Sequence, residues 1–340
     1  LSQDELRHRA TALSPASNHL DPSSPFVAGL EDGYLLSESG LALTDAFEII
    51  EESAAEPEQA QQAMMAMLSR ELFYGHVPLR GLFFSTADTN AELLPSDEWV
   101  APMIPRYRNY YHWMIETVPK IRYLRVFMTD HETPVALLIR SDAPPYVTET
   151  LELLNWPRSR VRRAGAAIHR IPKLLIPSYP ERDTSDLTWI KDEILQQVRA
   201  DRSDDQPTPS STGNNVYVSR DSAVERRVVN EDEVVEALSE FGFSKYRLEE
   251  RSVAENVRLF ADADVIVGPH GAGLTDILFS EDATLIELFG EKIKRPYRKL
   301  ADAVAVDYEW MHCTPEATDM VVDTEELTER VARALGNERR

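Results

Sequence analysis

Short apolar runs that alternate with amphipathic segments constrain the fold of this chain more than any other feature. DVIVG (264–268) and TLIELF (284–289) are nearly continuous in apolar residues, which is typical of strands buried on both faces of a parallel sheet. Between the strand-like NVYVSR (215–220) and DVIVG lies NEDEVVEALSEFGF (230–243), whose apolar residues follow helical spacing. Ser252 and Glu255 have the spacing of a capping box, which predicts a further helix start. This alternation predicts a doubly wound α/β domain.

The first half of the chain shows the same alternation less clearly. Strands are predicted at 82–85, 99–105, 134–140 and 173–178, and helices at 44–73 (interrupted at Pro57), 110–128, 146–156 and 186–200. In the second half, further strands are predicted at 245–250 and 307–312, and helices at 296–304 and near the C-terminus. We therefore expect two doubly wound α/β domains that face a cleft.

A polar segment rich in Pro, Ser and Asp separates the two halves. DRSDDQPTPSSTGNN (201–215) cannot bury a core, so it is predicted to be an exposed linker. The expected division is an N-terminal domain over 1–200 with a helical N-terminal extension, and a C-terminal domain over 216–320. The last segment, 321–340, is predicted to be a helix that could pack back across the domain boundary.

The charge of the chain is strongly acidic, with a formal net charge of −22 and an isoelectric point near 4.8. Such a surface repels phosphate polyanions, so nucleic acid is not an expected partner. Only seven of the 36 cationic residues are lysines. Acidic excess with scarce lysine favours a cytoplasmic protein of a halophilic archaeon, although an acidic protein in ordinary salt would also fit. No apolar run has the length of a transmembrane segment, and peripheral association with the inner membrane face stays open.

The sequence GPHGAGLT (268–275) directly follows the predicted strand DVIVG. In open α/β sheets, ligands bind beyond the carboxyl ends of strands, where glycines let backbone amides approach an anion and a following helix offers its positive end. His270 could donate to a phosphate oxygen. The alternative is a tight turn without a ligand. The glycine spacing is neither G-x-G-x-x-G nor a P-loop, which weakens the dehydrogenase and NTPase interpretations.

Four segments in this order resemble glycosyltransferase family 61, which includes plant xylosyltransferases and protein O-linked N-acetylglucosaminyltransferases. They are NYYHWMIETVPKIRYL (109–124), VYVSRDSAVERRVVNEDEVVEAL (216–238), SVAENVRLFADADVIVGPHGAGLTDILF (252–279) and TLIELF (284–289). The first hundred residues carry no part of the resemblance. The chain departs from the family at Asp276, where Asn is usual, and at Asn256, where Gln is usual.

The resemblance implies a GT-B-like fold of two Rossmann-like domains and an inverting transfer, usually from a UDP-sugar and without a metal. The donor would bind the C-terminal domain, and the acceptor mainly the N-terminal one. We expect a glycan, a lipid-linked glycan or a protein hydroxyl as acceptor, and no cofactor. The residues expected to bind the diphosphate in the glycine turn are His270, Gly271, Ala272, Gly273, Leu274 and Thr275. A carboxylate at Asp276 would repel the diphosphate unless it is turned away from it.

His112 and Glu116 are four residues apart in a predicted helix, so they share one face. An inverting transfer needs a base for the acceptor hydroxyl, and one of the pair can act as base while the other orients it. The resemblance favours Glu116 as the base and His112 as the second choice. The alternative is a pair that only stabilises the helix, or an ion pair of Glu116 with Lys120.

Arginines near the end of NVYVSR form a local positive cluster. Arg220 closes this strand and Arg226 and Arg227 follow in the loop, so a diphosphate contact is predicted for Arg220 and for one of the other two. Surface ion pairs with nearby carboxylates are the alternative. Glu287 lies near the end of an apolar strand and must have a partner, either a ribose hydroxyl or an internal arginine.

The sequence Asp262-Ala263-Asp264 matches the DxD pattern of metal-dependent transferases, but it precedes its strand instead of following it. We interpret it as a connection between a helix and a strand and expect no metal site.

The functional hypothesis is an inverting glycosyltransferase that uses a nucleoside diphosphate sugar. Two alternatives stay open: a different enzyme of the same fold, such as a sugar-nucleotide epimerase or a retaining transferase, and a non-catalytic protein that binds nucleotide sugars as a scaffold.

Overall fold

The computed structural model describes residues 25–37, 39–45, 50, 53, 92–93, 97–165, 168–180, 184–201 and 214–337. The predicted strand at 82–85, nearly all of the predicted helix at 44–73 and most of the predicted linker lie outside the described residues. The chain packs as two compact units. Unit 1 contains the described residues of Leu1–Pro144 and Trp156–Arg182, and unit 2 contains those of Pro145–Asn155 and Asp183–Arg340.

Unit 1 is built on a mixed sheet. Its strands are β1 Val27–Leu36, β2 Leu41–Leu43, β3 Glu92–Leu93, β4 Trp99–Pro102, β5 Val135–Arg140, β6 Val161–Ala164 and β7 Ile168–Pro177. The order is β2-β1-β7-β4-β5-β6, with β3 also paired to β7. Strands β4 to β7 pair in parallel, whereas β1 runs antiparallel to both β2 and β7. The parallel part agrees with the predicted α/β class, and the long antiparallel strand β1 was not predicted.

An interrupted helix crosses unit 1 after β4. It consists of a short turn Tyr110–His112, a π-helical turn Trp113–Thr117 and helix α1, Pro119–His131. Asn109 caps the first turn, because its side chain accepts a hydrogen bond from the His112 N–H at 3.2 Å. Pro119 has no N–H and cannot continue a regular helical ladder, which accounts for an irregular turn directly before it. A short 3₁₀ turn, Arg158–Arg160, precedes β6.

Unit 2 has a fully parallel five-stranded sheet. Its strands are β8 Asn215–Val218, β9 Phe243–Tyr246, β10 Val265–Pro269, β11 Thr284–Phe289 and β12 Asp307–His312, in the order β12-β11-β10-β8-β9. Numbered within the unit, this order is 2-1-3-4-5, so the direction of winding reverses between β8 and β10. A small hairpin of β13 Thr314–Glu316 and β14 Asp319–Val321 follows β12.

Helices cover both faces of this sheet. They are α2 Pro145–Leu153, α3 Thr184–Ala200, α4 Glu231–Ser239, α5 Val253–Ala261, α6 Pro296–Val304 and α7 Thr324–Asn337, with 3₁₀ helices Leu248–Glu250 and Ala272–Phe279. Helices α4 and α7 bury Val234 and Leu327 against one face, where Val265 and Ile286 alternate with residues that face the other side. Helix α7 therefore packs on the core of unit 2. Helices α2 and α3, assigned to residues 1–200 from the sequence, also pack in unit 2.

The sequence predicted most elements of unit 2 to within a few residues. The capping box is confirmed, because Ser252 Oγ accepts from the Glu255 N–H at 3.3 Å and the Glu255 carboxylate accepts from the Ser252 N–H at 2.8 Å. The predicted strand at 245–250 begins earlier, at Phe243, and its second half is a 3₁₀ turn. Within the described residues, every helix is either too short or too polar to cross a bilayer.

Candidate functional site

The loops that leave β8 and β10 meet at the point where the winding of the unit 2 sheet reverses. Ligands of open α/β sheets bind at such a point, beyond the carboxyl ends of the strands. A cavity of about 250 Å³ lies there. Its lining consists of Val218, Ser219, Arg220, Ser222, Ala223, Leu248, Glu249, Pro269, Gly271, Gly273 and Leu274. The cavity thus brings together Arg220 and the glycine turn, which are 50 residues apart in sequence.

Three backbone N–H groups of the glycine turn have no hydrogen-bond acceptor among the described residues. The His270 N–H donates to the Leu288 carbonyl and the Leu274 N–H to the Gly271 carbonyl, both at 3.0 Å. The N–H groups of Gly271, Ala272 and Gly273 have no acceptor in the described part of the chain. The helix expected after the turn is present as a 3₁₀ helix, Ala272–Phe279. Adjacent free N–H groups before a helix are suited to an anion.

Arg220 lies directly against this turn. A β-carbon built on Gly271 would be 2.0 Å from Arg220 Nη1 and 2.7 Å from Cζ, so the guanidinium occupies the space that a side chain at 271 would need. Arg220 Nε is buried without a hydrogen-bond partner in the described residues, and Nη2 donates only a long bond, 3.4 Å, to the Glu225 carbonyl. Burial, and then the charge of Arg226, lower the pKa of Arg220. A bound anion would compensate both effects.

The two neighbouring arginines differ from Arg220. Arg226 adopts a left-handed backbone (φ 61°) and pairs with Glu225 at 2.9 Å, while its Nε is buried without a partner among the described residues. Arg227 is held by Asp319, with Nη2 and Nε at 2.6 and 3.0 Å from Oδ2. Asp319 raises the pKa of Arg227. Arg227 thus ties its loop to β14, and its guanidinium is already occupied.

A buried polar network that sequence reasoning missed fixes the start of the Arg220 loop. Glu231 accepts hydrogen bonds from Ser219 Oγ at 2.8 Å and from the Tyr217 hydroxyl at 3.2 Å, and it pairs with Lys245. Lys245 also reaches Asp221 Oδ2 at 3.1 Å. Burial and the Glu231 carboxylate raise the pKa of Tyr217 well above its usual value. The sequence shows an acidic first turn in α4, but this pattern alone does not indicate that the Glu231 side chain points into the protein.

His270 and Glu287 pair behind the turn. His270 Nδ1 lies 2.6 Å from Glu287 Oε1, and the Tyr308 hydroxyl donates to Glu287 Oε2 at 2.7 Å. Glu287 is fully buried. Its partners are a histidine and a tyrosine, not the ribose or the arginine considered from the sequence. Burial first, and then the hydrogen bond to Glu287, raise the pKa of Tyr308. His270 is also buried and does not line the cavity.

Two further residues of the turn face the protein interior. Thr275 Oγ1 donates to the Ala272 carbonyl at 2.7 Å, and the whole Thr275 side chain is buried. Asp276 is buried as well and is absent from the cavity lining. Of the predicted turn residues, Gly271, Gly273 and Leu274 line the cavity.

In unit 1, His112 and Glu116 form the predicted pair. His112 Nδ1 is 2.7 Å from Glu116 Oε2, and the pair joins the residue that caps the π-helical turn to a residue within that turn, an irregularity that is frequent at functional sites. The His112 side chain is 21% exposed and that of Glu116 only 3%. The imidazole is therefore the solvent-facing member of the pair. The ring of Tyr107, itself exposed, lies 4.7 Å from the imidazole between ring centroids.

The DxD sequence has a structural role at the opposite edge of the unit 2 sheet. Asp264 Oδ2 accepts from the Asn214 N–H at 3.0 Å, directly before β10. Among the residues that the structure describes, no three His, Cys, Asp or Glu side chains gather in a way that could hold a metal ion.

Comparison with known sequences agrees with the resemblance drawn from the four segments. The profile of the family described as Glycosyltransferase 61 matches residues 110–286, slightly more than half of the chain. A beta-1,2-xylosyltransferase of Arabidopsis thaliana is 31% identical over 128 residues, which cover 33% of this chain and 24% of that protein. EGF domain-specific O-linked N-acetylglucosamine transferases of Gallus gallus and Mus musculus are each 34% identical over 89 residues, 24% of this chain and 17% of theirs. The aligned region thus spans a quarter or less of these relatives.

Proposed function

The chain belongs to glycosyltransferase family 61, and from this membership and the site in unit 2 we propose that it is an inverting glycosyltransferase. The donor is a nucleoside diphosphate sugar, with UDP as the nucleotide. The acceptor is a hydroxyl group of a glycan, a lipid-linked glycan or a protein. The GT-B-like arrangement expected from the resemblance is part of this proposal.

One observation carries the proposal: a partly buried arginine and three N–H groups without acceptors among the described residues converge where the winding of a parallel sheet reverses. Arg220 Nε and the N–H groups of Gly271, Ala272 and Gly273 lack acceptors among the described residues. A diphosphate supplies several oxygen acceptors and negative charge at once, so it would satisfy all of these donors. Arg226 adds charge nearby, whereas Arg227 is left out because Asp319 already holds it.

The acceptor hydroxyl must lose a proton as it attacks the anomeric carbon. Since His112 is the exposed member of its pair, we propose that its Nε2 accepts this proton while Glu116 holds Nδ1 and stabilises the imidazolium that forms. This assignment reverses the order that the resemblance favoured. The general-base step would contribute about 10²–10⁴-fold to the rate.

As the new glycosidic bond forms at the anomeric carbon, the bond to the diphosphate oxygen breaks and its electrons pass to the leaving group. Arg220 and the free N–H groups would stabilise this developing charge without reorganisation, because the backbone already holds the N–H groups in position. On this basis we propose a metal-independent transfer. The halophilic source and the cytoplasmic location also stay predictions from composition.

Calorimetry with UDP, GDP, dTDP and CMP in molar KCl tests the donor site. We expect one nucleoside diphosphate to bind, and UDP to bind best. A folded protein that binds none of them at millimolar concentration would exclude the donor site. The anomeric configuration of a transferred sugar then tests inversion, and donor turnover without acceptor would indicate the epimerase.

A further inference from the structure

A basic segment follows β11 in unit 2. This segment, residues 291–299, contains the cations Lys292, Lys294, Arg295, Arg298 and Lys299 and a single acidic residue, Glu291. It holds three of the seven lysines of the chain. All five cations are exposed, and none forms an ion pair with a carboxylate of the described residues.

What distinguishes the basic segment is the concentration of unpaired cations on the surface of such an acidic chain. Several other arginines do have carboxylate partners: Arg162 pairs with Glu98 at 3.4 Å and Arg199 with Glu281 at 3.3 Å. With 58 acidic residues in the sequence, partners for a basic segment are plentiful. Five unpaired cations within eight positions therefore point to a partner outside the chain.

Exposed apolar side chains accompany these cations. Ile293 stands between Lys292 and Lys294 and is 46% exposed. Trp310 on the edge strand β12 is 41% exposed, and its ring centroid is 6.2 Å from that of Phe289, the last residue of β11. A free phosphate requires only the cations. An exposed tryptophan and isoleucine among cations are characteristic of protein surfaces that enter the headgroup region of a membrane.

We propose that the basic segment, together with Ile293 and Trp310, docks unit 2 onto an anionic lipid surface. The net charge of −22 does not prevent this, because charges separated by more than about 10 Å are largely screened at 0.1 M salt. The local positive charge then determines the attraction, and the two apolar side chains insert between headgroups.

The segment lies at the same edge of the sheet as the glycine turn. Strands β10 and β11 are parallel neighbours, and the ring of Tyr297 in α6 is 5.4 Å from that of His270 between centroids. Docking would hold the candidate diphosphate site beside the lipid surface. If the proposed function is correct, this favours an acceptor that is itself linked to a lipid.

Cosedimentation with vesicles tests the docking surface. We expect the protein to bind vesicles of phosphatidylcholine mixed with phosphatidylglycerol, but not vesicles of phosphatidylcholine alone. Combining Lys292→Ala, Lys294→Ala and Arg295→Ala should lower the partition coefficient about 100-fold. The matched control combines Arg160→Ala, Arg162→Ala and Arg163→Ala, which removes the same charge from unit 1 and should leave binding unchanged.

Ile293→Ser and Trp310→Ser separate a membrane from a soluble polyanion. Each should weaken vesicle binding several-fold while leaving any retention on polyphosphate unaltered. Equal binding to both vesicle types, or equal losses in the two triple variants, would overturn the proposal. Vesicle binding that is unchanged in both Ile293→Ser and Trp310→Ser would also overturn the proposal. The vesicle assay contains no nucleotide, so its failure would not count against the candidate donor site. If the triple variant does not fold, the single variant Lys292→Glu is tested in its place.

Discussion

The guanidinium of Arg220 packs against the backbone of Gly271, where a β-carbon would stand 2.0 Å from Nη1. Gly271 has φ 177°, an extended conformation open to any residue. The position therefore needs glycine for space and not for backbone freedom. This contact joins the two halves of the candidate site, since the same glycine contributes a free N–H group and admits the arginine.

Gly271→Ala should consequently weaken nucleotide binding more than it affects folding. The added methyl group displaces the guanidinium, and the loss of a charge-assisted hydrogen bond costs about 1.5–3 kcal/mol, or roughly 10–150-fold in Kd. Calorimetry with UDP measures the change. Gly336→Ala in α7 is the control, because a β-carbon there meets nothing within 4 Å. An unchanged Kd in Gly271→Ala would separate Arg220 from the ligand.

Arg220→Ala and Arg227→Ala should have opposite consequences. Arg220→Ala removes the cation from the cavity and should weaken UDP binding by about 1.5–3 kcal/mol with little effect on the melting temperature. Arg227→Ala breaks the pair with Asp319 that ties the loop to β14, so it should lower the melting temperature and leave Kd nearly unchanged. Calorimetry and thermal unfolding of both variants distinguish the two roles. A larger increase in Kd for Arg227→Ala than for Arg220→Ala would contradict the proposal that Arg220 binds the diphosphate.

The sequence predicted unit 2 well because local signals there agree with each other. DVIVG and TLIELF are too apolar to be surface strands, and the Ser252–Glu255 box marks a helix start by local hydrogen bonding alone. Unit 1 was harder. Strand β1 pairs with β7 about 140 residues later, and its register depends on contacts that no local pattern encodes.

The same distinction applies to the site. Arg220 and the glycine turn could be found because strand ends of parallel sheets bind ligands in many proteins. The partners of Glu287 and Arg227 could not, because they depend on Tyr308 and Asp319, which only the folded chain brings near. The greater exposure of His112 than of Glu116 could not be predicted either, because the spacing of four residues does not say which member of the pair faces solvent.

His112→Ala should reduce sugar transfer about 10²–10⁴-fold if the imidazole is the base. Glu116→Gln should also reduce it, because the amide cannot stabilise the imidazolium. Neither substitution should alter UDP binding, since both residues are in unit 1 and the candidate donor site is in unit 2. Rates with labelled donor and calorimetry measure the two quantities.

The control for this prediction is Asn109→Ala, which removes the cap on the His112 N–H but not the side-chain pair. It should cost about 1 kcal/mol of stability and preserve transfer. If the wild-type protein binds the donor but transfers no sugar, and the variants bind the donor equally well, the result would support the scaffold alternative.

Asp221 should make unit 2 sensitive to acid. Hydrogen bonds from Arg247, and then from Lys245, hold the pKa of Asp221 far below its usual value of 3.8. A lowered pKa stabilises the folded state above the unfolded-state pKa, and this contribution disappears as pH falls toward the folded-state value. Asp221→Asn should therefore lower the free energy of unfolding by about 1 kcal/mol or less at neutral pH, because the pair is partly solvated.

The difference between wild type and Asp221→Asn should stay constant above about pH 5 and shrink below about pH 4. Urea unfolding across this range measures it. High salt should reduce the difference at every pH, since exposed ion pairs are screened. A difference that grows on acidification would have the wrong sign for a lowered carboxylate pKa.

Cys313 provides a probe of unit 2 because it is the single cysteine of the sequence and is buried in the core beside Met311. Burial raises the pKa of its thiol to about 12, and only the thiolate reacts with alkylating reagents. At pH 8, labelling by iodoacetamide should be about 1,000-fold slower in the folded protein than in urea. Mass spectrometry over time measures the rate, and fast labelling of the native protein would contradict the burial. At urea concentrations that partly unfold the protein, where the unfolded form reacts, saturating UDP should slow the labelling because a ligand stabilises only the folded form, and it should not do so in Arg220→Ala at the same nucleotide concentration.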